Sequence, residues 1–130
     1  MKLSEAIRLG AMLRPQGFGR VLDRNGRTCA LGAAYEAVGI SLTQPGEIPK
    51  NWLPMLDYAP WSIPCPACGG RQTKADNYRK FTFGETVVTH LNDVHKWTRE
   101  AIADWVATVE PEEMVQVKEV EAETSEVVRA

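Results

Sequence analysis

Two cysteines and two histidines constrain this chain more than any other feature of its sequence. Cys65 and Cys68 lie in the segment CPACGG, and His90 and His95 follow 21 residues later, separated by four residues. Two thiols cannot complete a tetrahedral metal site, whereas two thiolates and two imidazoles form a ligand set that zinc prefers. The stretch GETVVTHLNDVH predicts that one helix carries both histidines. The spacing therefore predicts a Zn²⁺ site with four protein ligands, which indicates a structural role.

The cysteine pair has an alternative interpretation as a redox motif. A redox CxxC opens a helix after a strand in a βαβ unit. Here Pro64 and Pro66 flank Cys65, and two glycines follow Cys68, which favours a metal-binding turn. Three cysteines, an odd number with two of them in CxxC, also fit a reducing compartment better than a disulfide framework.

Two enzyme hypotheses start from the same residues. Cys29 lies near a predicted helix N-terminus, where a thiol pKa can fall, but a cysteine nucleophile needs a base and zinc would occupy both histidines. A zinc hydrolase would need one idle ligand, an open position for water and Glu85 or Asp93 as base. Nothing in the spacing favours either hypothesis, so we predict that the protein is not an enzyme. Cys29 is expected to be a buried structural residue, or to replace one of the four proposed zinc ligands if that ligand is assigned wrongly.

The segment around these ligands resembles the Cys2His2 zinc finger beyond the ligands themselves. Phe81 is followed by five residues, Val87, two residues and His90, as in that family. The departure lies between Cys68 and Phe81, where twelve residues stand in place of three. Insertions of this kind are tolerated best at a hairpin tip. The resemblance implies a zinc-stabilised ββα unit with an enlarged hairpin.

Two further stretches extend the resemblance to a whole protein type. RTCALGAAYEAVG and HLNDVHKWTREAIADWV are similar to segments of small uncharacterised bacterial and phage-type proteins. This similarity runs over residues 1–109 and implies organisation and zinc binding, but no activity.

The charge distribution argues against a conventional nucleic-acid-binding finger. The net charge is −2, and residues 110–130 carry seven glutamates against Lys118 and Arg129, so the rest of the chain is weakly basic. The positions that would read bases in a similar finger hold no Arg, Lys, Asn or Gln, the types suited to purine edges. These positions are Phe83, Glu85, Thr86 and Thr89. Candidate phosphate contacts are instead the basic side chains of residues 71–80, namely Arg71, Lys74, Arg79 and Lys80.

Hydrophobic periodicity and the positions of helix-breaking residues divide the chain into four parts. Residues 1–40 are predicted to form a helical half, with helices over Ser4–Leu13 and Cys29–Val38 capped by Ser4 and Thr28. Asn25-Gly26 predicts a turn between the helices, and Gly39 is expected to end the second one. The small residues of the second helix are expected to allow close backbone approach to the first. Residues 41–62 are a Pro- and Trp-rich packed connection.

Residues 63–109 are the zinc-binding ββα unit, with its second strand over residues 78–83, plus a helix capped by Thr98. The side chains of that helix expected to face inward are Ile102, Trp105, Val106 and Val109. Residues 110–130 are an acidic tail predicted to be disordered. The predicted fold class is α+β, small and mostly helical.

These features lead to a functional expectation. No apolar run is long enough to span a membrane, and the charged N-terminal segment does not resemble a signal peptide, so we expect a cytoplasmic protein without membrane partners. The expected function is a protein-interaction or adaptor module built around structural Zn²⁺, with another protein as partner. The alternative is a nucleic-acid-associated protein that uses residues 71–80, and the third hypothesis is the zinc hydrolase.

Overall fold

Helices are the only regular secondary-structure elements in the part of the chain that the structure describes. The computed structural model describes residues 1–44, 46–56, 63–71 and 86–112. Along these residues the elements are α1 (Leu3–Ala11), α2 (Ala30–Ala37), a 3₁₀ turn (Lys50–Trp52), α3 (Leu53–Leu56), α4 (Val87–Asp93) and α5 (Arg99–Val109). One buried core combines side chains from the helices and from the segment before α3, including Leu3, Ile7, Leu31, Trp52, Met55, Leu91, Ile102 and Val106.

The predicted α+β class with a ββα unit is wrong for the residues that the structure describes. They contain no strand, and their only β-type pairings are isolated bridges of Thr28 with Gln16 and with Leu22. The segment around Cys65 forms no strand because its backbone closes on itself: Cys65 N donates to Gly70 O at 3.0 Å, and Gly69 N donates to Cys65 O at 2.7 Å. The predicted second strand, residues 78–83, lies outside the described residues.

Helices α1 and α2 pack with their backbones in close contact. A Cβ built at Gly10 would lie 1.8 Å from Ala33 O, so only glycine permits this approach. The small residues of α2 were expected to allow such a contact, and the structure confirms it. Gly39 ends α2 as predicted, with φ of 79°. Its N–H donates to Glu36 O at 3.2 Å, and Ile40 N donates to Tyr35 O at 2.9 Å, the Schellman pattern.

Two predicted N-caps are wrong because distant residues bind their side chains. Ser4 lies inside α1, which begins after Lys2, and both its N–H and its hydroxyl donate to the Glu110 carboxylate. Thr28 precedes the cap of α2, which is Cys29, and its hydroxyl accepts from Arg99 Nη1 at 3.0 Å. Long-range partners have therefore replaced the local caps that the residue types indicate.

The Pro- and Trp-rich connection contributes to the core through Trp52. This side chain is fully buried, stacks on Tyr35 with ring centroids 6.4 Å apart, and donates from Nε1 to Met1 O at 2.9 Å. Trp52 is therefore not available as an exposed binding aromatic. Tyr58 and Trp61 of the same connection lie outside the described residues.

Helix α5 follows the prediction closely. Thr98 caps it by accepting from Ala101 N at 3.1 Å, and both Ile102 and Val106 are fully buried. Val109, expected to face inward, is 37% exposed. Arg99, in the first turn, is buried. It donates to Ala11 O at the end of α1 and to Arg14 O just beyond it, which ties α5 to the end of that helix.

The start of the acidic tail is attached to the N-terminus of α1. Besides the Glu110 contacts with Ser4, Glu112 forms a salt bridge with Lys2 at 3.4 Å. A carboxylate at this position satisfies free N–H groups and complements the helix dipole. Residues 113–130, which carry the rest of the predicted disordered tail, lie outside the described residues. No helix within the described ranges is long and apolar enough to cross a membrane.

Candidate metal centre

The first two predicted ligands lie on the short loop at residues 65–70. Cys65 is buried and Cys68 is exposed. The turn requires glycine at position 69, where φ is 71°, a conformation that other residues seldom adopt. A Cβ built at Gly70 would lie 3.2 Å from Cys68 Sγ, so the second glycine leaves room for the thiol. The CPACGG pattern thus builds a tight turn that presents both sulfur atoms together.

The two histidines lie at the end of α4, in a different arrangement from the predicted one. His90 belongs to the last turn of α4, but the helix ends at Asp93, so His95 follows the helix. His95 N donates to His90 O at 3.3 Å, and Lys96 adopts a positive φ of 57°, which turns the chain back. The two imidazoles meet edge to face, with ring centroids 4.8 Å apart. The prediction of one helix carrying both residues is therefore wrong, although the side chains still converge.

All four predicted ligand atoms converge on one point. Taking one nitrogen or sulfur from each of Cys65, Cys68, His90 and His95, every pair lies within 4.8 Å. The two Nε2 atoms are 3.1 Å apart, and Cys68 Sγ lies 3.7 Å from His90 Nε2. Tetrahedral zinc, with Zn–S near 2.3 Å and Zn–N near 2.0–2.1 Å, would place such pairs about 3.3 and 3.5 Å apart. The four side chains therefore form a group that fits a metal ion.

The chemistry of the donor set also fits a cation. Burial raises the pKa of the Cys65 thiol, and the neighbouring Cys68 raises it further, while backbone N–H groups act in the opposite direction. A thiol must lose its proton to bind a metal, and a bound cation favours that loss. The protein alone holds Cys65 neutral, so ligation by a cation would be the event that ionises it.

Of the other residues considered as nucleic-acid contacts, the structure describes Thr86, Thr89 and Arg71. Thr86 and Thr89 form a reciprocal capping box at the start of α4, with each side chain accepting from the other's backbone N–H. Both threonines therefore serve the helix rather than a base-reading surface. Arg71 is exposed at the end of the cysteine loop. The remaining candidates lie outside the described residues, namely Lys74, Arg79, Lys80, Phe81, Phe83 and Glu85.

Cys29 is a structural residue in a protected position. Its side chain is 2% exposed and accepts from Gly32 N at 3.4 Å as the N-cap of α2. Burial raises its pKa to about 11, even though the Gly32 N–H lowers it. A thiol in this state is a poor nucleophile. Cys29 also lies outside the group of converging ligands.

The role of Asn92 was not predicted from the sequence. Asn92 is fully buried, and its Oδ1 accepts from Gln16 Nε2 at 2.9 Å and from Ala30 N at 3.1 Å. Its Nδ2 donates to Gly17 O at 3.0 Å. The residue thereby joins the histidine-bearing helix to the Gln16 loop and to the start of α2. In the sequence, the only indication that Asn92 is buried is its position directly after the apolar Leu91.

Comparison of the chain with protein-family models, curated proteins and solved structures finds no match.

Proposed function

We propose that this is a zinc-binding protein in which Cys65, Cys68, His90 and His95 hold a structural Zn²⁺. The observation that carries the proposal is the convergence of four ligand atoms within 4.8 Å of one another. A mixed sulfur and nitrogen set in a tetrahedral arrangement suits zinc better than magnesium or calcium, which prefer oxygen ligands.

A structural role is favoured because four side chains can supply all four positions of a tetrahedral zinc site. A catalytic zinc keeps one position open for water or substrate. Here all four donors lie close enough to bind together, and the Asp93 carboxylate, the described candidate base, already accepts from Gly19 N at 2.9 Å. When bound, the ion would cross-link the cysteine loop to the end of α4.

We extend the proposal to an interaction module that binds another protein. Its support is a group of exposed apolar side chains at and just beyond the C-terminal end of α1: Leu9 (44% exposed), Met12 (82%) and Leu13 (56%). Exposed apolar side chains grouped in this way are typical of contact surfaces. A partner bound there should be lost on Met12→Glu while the metal content stays unchanged.

The metal proposal is tested by native mass spectrometry of the full chain purified without added metal. We expect one zinc per chain in the wild type. His95→Ala and Cys68→Ser should weaken binding by more than the ~10- to 100-fold that loss of a supporting group costs. The matched control is Cys29→Ser, which removes the cysteine outside the cluster and should keep one zinc.

Two outcomes would contradict the proposal. One is wild-type protein that remains free of zinc when supplied with the ion. The other is zinc held equally well by His95→Ala, since the site would then not use the histidine beyond the helix.

A further inference from the structure

An open cavity lies over the loop that follows α1, and none of the four candidate metal ligands lines it. Its volume is about 390 Å³, within the range of small-ligand sites. The lining residues combine an aromatic ring with two arginines, and they are Phe18, Gly19, Arg20, Asp23, Arg24 and Asn25.

The guanidinium groups of the two arginines in this cavity are not paired with any carboxylate in the described ranges. Both Arg20 and Arg24 are exposed, and neither makes a hydrogen bond or salt bridge with any residue in the described ranges. Arg14, close by in sequence, differs because its guanidinium binds the Glu36 carboxylate at 2.9 Å. The guanidinium groups of Arg20 and Arg24 are therefore available to an anionic ligand.

The nearby carboxylates are already engaged by backbone amides. Asp23 Oδ1 accepts from Asn25 N and Arg27 N, both at 2.9 Å. Asp93 Oδ1 accepts from Gly19 N at 2.9 Å. Because these N–H groups partly compensate the two negative charges, the exposed Arg20, Arg24 and Arg27 leave this surface electropositive in a chain whose net charge is −2.

Phe18 adds an exposed aromatic ring to this positively charged surface. The ring is 46% exposed, and Lys96 Nζ lies 4.4 Å from its centroid. The following Gly19 has φ of 84°, and a Cβ built there would meet nothing within 4 Å, so the backbone beside Phe18 is open to a ligand. An acidic peptide would use the arginines but would have no use for an exposed ring. An aromatic ring among cations instead suits stacked bases on a charged backbone.

The loop is held rigidly enough to act as a preformed surface. Asn92 Nδ2 donates to Gly17 O at 3.0 Å, and Gln16 Nε2 donates to Trp97 O at 2.8 Å. Together with the Asp93 contact to Gly19, these bonds fix the loop to the segment around the end of α4. A surface that is ordered before binding loses less entropy on binding.

We propose that residues 17–26 and Lys96 form a binding surface for single-stranded nucleic acid, with Arg20 and Arg24 contacting phosphates and Phe18 stacking on a base. This surface is distinct from residues 71–80. It does not depend on the identity of the ion at the cysteine and histidine cluster.

The test is fluorescence anisotropy of a fluorescein-labelled 12-nucleotide dT strand titrated with the full chain at several salt concentrations. Each lost phosphate contact should reduce the slope of log K against log[salt] by about 0.7. We therefore expect Arg20→Ala and Arg24→Ala each to lower the slope by that amount. Lys50→Ala is the matched control, since Lys50 is an exposed cation outside this loop and should leave the slope unchanged.

The stacking contact is tested separately. Phe18→Ala should weaken binding about 5-fold or more without changing the salt slope, and Phe18→Trp should retain binding. Equal melting temperatures of the variants would show that the fold is intact, as expected for exposed positions.

Three results would overturn the proposal. These are no binding of the dT strand by the wild type, equal effects of Arg24→Ala and Lys50→Ala, and displacement of the strand by polyglutamate as readily as by unlabelled dT. The last result would identify an acidic protein as the ligand instead.

Discussion

At the scale of single residues, Cys29 shows how its surroundings determine the chemistry of a thiol. The sequence places it near a helix N-terminus, where the dipole would lower the pKa. The structure buries it, and desolvation of the thiolate outweighs the hydrogen bond from Gly32 N, so the pKa rises to about 11 from an ordinary 9.0. The same residue that looked like a candidate nucleophile is therefore a neutral helix cap.

This raised pKa predicts a pH dependence of stability. Between about pH 9 and pH 11 the unfolded chain loses the Cys29 proton while the folded chain keeps it, so stability falls as pH rises. From pH 7 to pH 10 the loss due to Cys29 should be about 1.4 kcal/mol. Urea unfolding of wild type and Cys29→Ser at both pH values checks this, because serine keeps the cap and does not titrate.

In that experiment the burial that raises the pKa of Tyr35 is present in both proteins and cancels, whereas the smaller rise that the Cys29 charge causes in the Tyr35 pKa is lost together with the thiol. Equal loss of stability in the two proteins would show that Cys29 does not titrate as described.

Asn92 is the second residue whose role comes from its partners. Replacing it by alanine would leave Ala30 N, Gly17 O and Gln16 Nε2 without this partner in a largely buried setting. Each unsatisfied buried group costs roughly 1–3 kcal/mol, so we expect Asn92→Ala to lower the free energy of unfolding by about 3 kcal/mol. Urea unfolding at pH 7 measures this.

The control for Asn92 is Asn51→Ala. Asn51 makes one weak bond, from Nδ2 to Met1 O at 3.3 Å, at an exposed site. Its replacement should change stability by less than about 0.5 kcal/mol. Similar effects of the two substitutions would contradict the structural role assigned to Asn92.

At the scale of elements, contact between α1 and α2 depends on the absence of one side chain. In an isolated helix, alanine would be better than Gly10 by up to about 1 kcal/mol. In the fold, its Cβ would lie 1.8 Å from Ala33 O and 2.7 Å from the Ala33 Cα, and neither backbone atom can move without shifting α2. The cost of packing therefore outweighs helix propensity.

We accordingly expect Gly10→Ala to destabilise the protein by about 1–3 kcal/mol in urea unfolding. The matched substitution is Gly46→Ala, where the added Cβ would meet nothing within 4 Å and the expected change is within about 0.5 kcal/mol. A stabilised Gly10→Ala variant would mean that the two helices do not approach this closely.

At the scale of the whole molecule, the cysteine loop and the helical core depend on the proposed metal to different degrees. The loop is held by its own short backbone bonds, by the ligand cluster and by the burial of Cys65, whereas α1, α2 and α5 contribute many side chains to the buried apolar core. We expect chelation by EDTA to open the loop first. The amides of Cys65 and Gly69 should then exchange with deuterium about tenfold faster or more, which corresponds to ~1.4 kcal/mol.

The internal control for this measurement is the Ala33 amide, which donates to Cys29 O at 2.9 Å in α2. Its exchange should change much less on chelation. Equal acceleration at Ala33 and Gly69 would mean that the metal supports the entire fold rather than the loop.

Some features of this protein follow from the sequence because they depend on residues close together in the chain. The Asn25-Gly26 turn forms as predicted, with Gly26 at φ of 75°. Thr98 caps the start of α5, and Gly39 ends α2. The four candidate ligands were also identifiable, since their residue types and the CPACGG turn point to one another without knowledge of the fold. Turn and cap chemistry acts over a few residues, so a local pattern can specify it. The ligands are far apart in sequence, with Cys68 and His90 separated by 21 residues, and their residue types rather than their proximity identify them.

The tertiary structure alone decided the rest. Ser4 and Thr28 have the right side chains for caps, but Glu110 contacts Ser4 from 106 residues away in sequence and Arg99 contacts Thr28 from 71 residues away. Asn92 is buried because two other segments supply its partners. The chain reversal after Asp93 places His95 beside His90 outside any helix. A hydrogen bond to a distant segment competes with a local one on equal terms, and only the folded chain determines which partner is present.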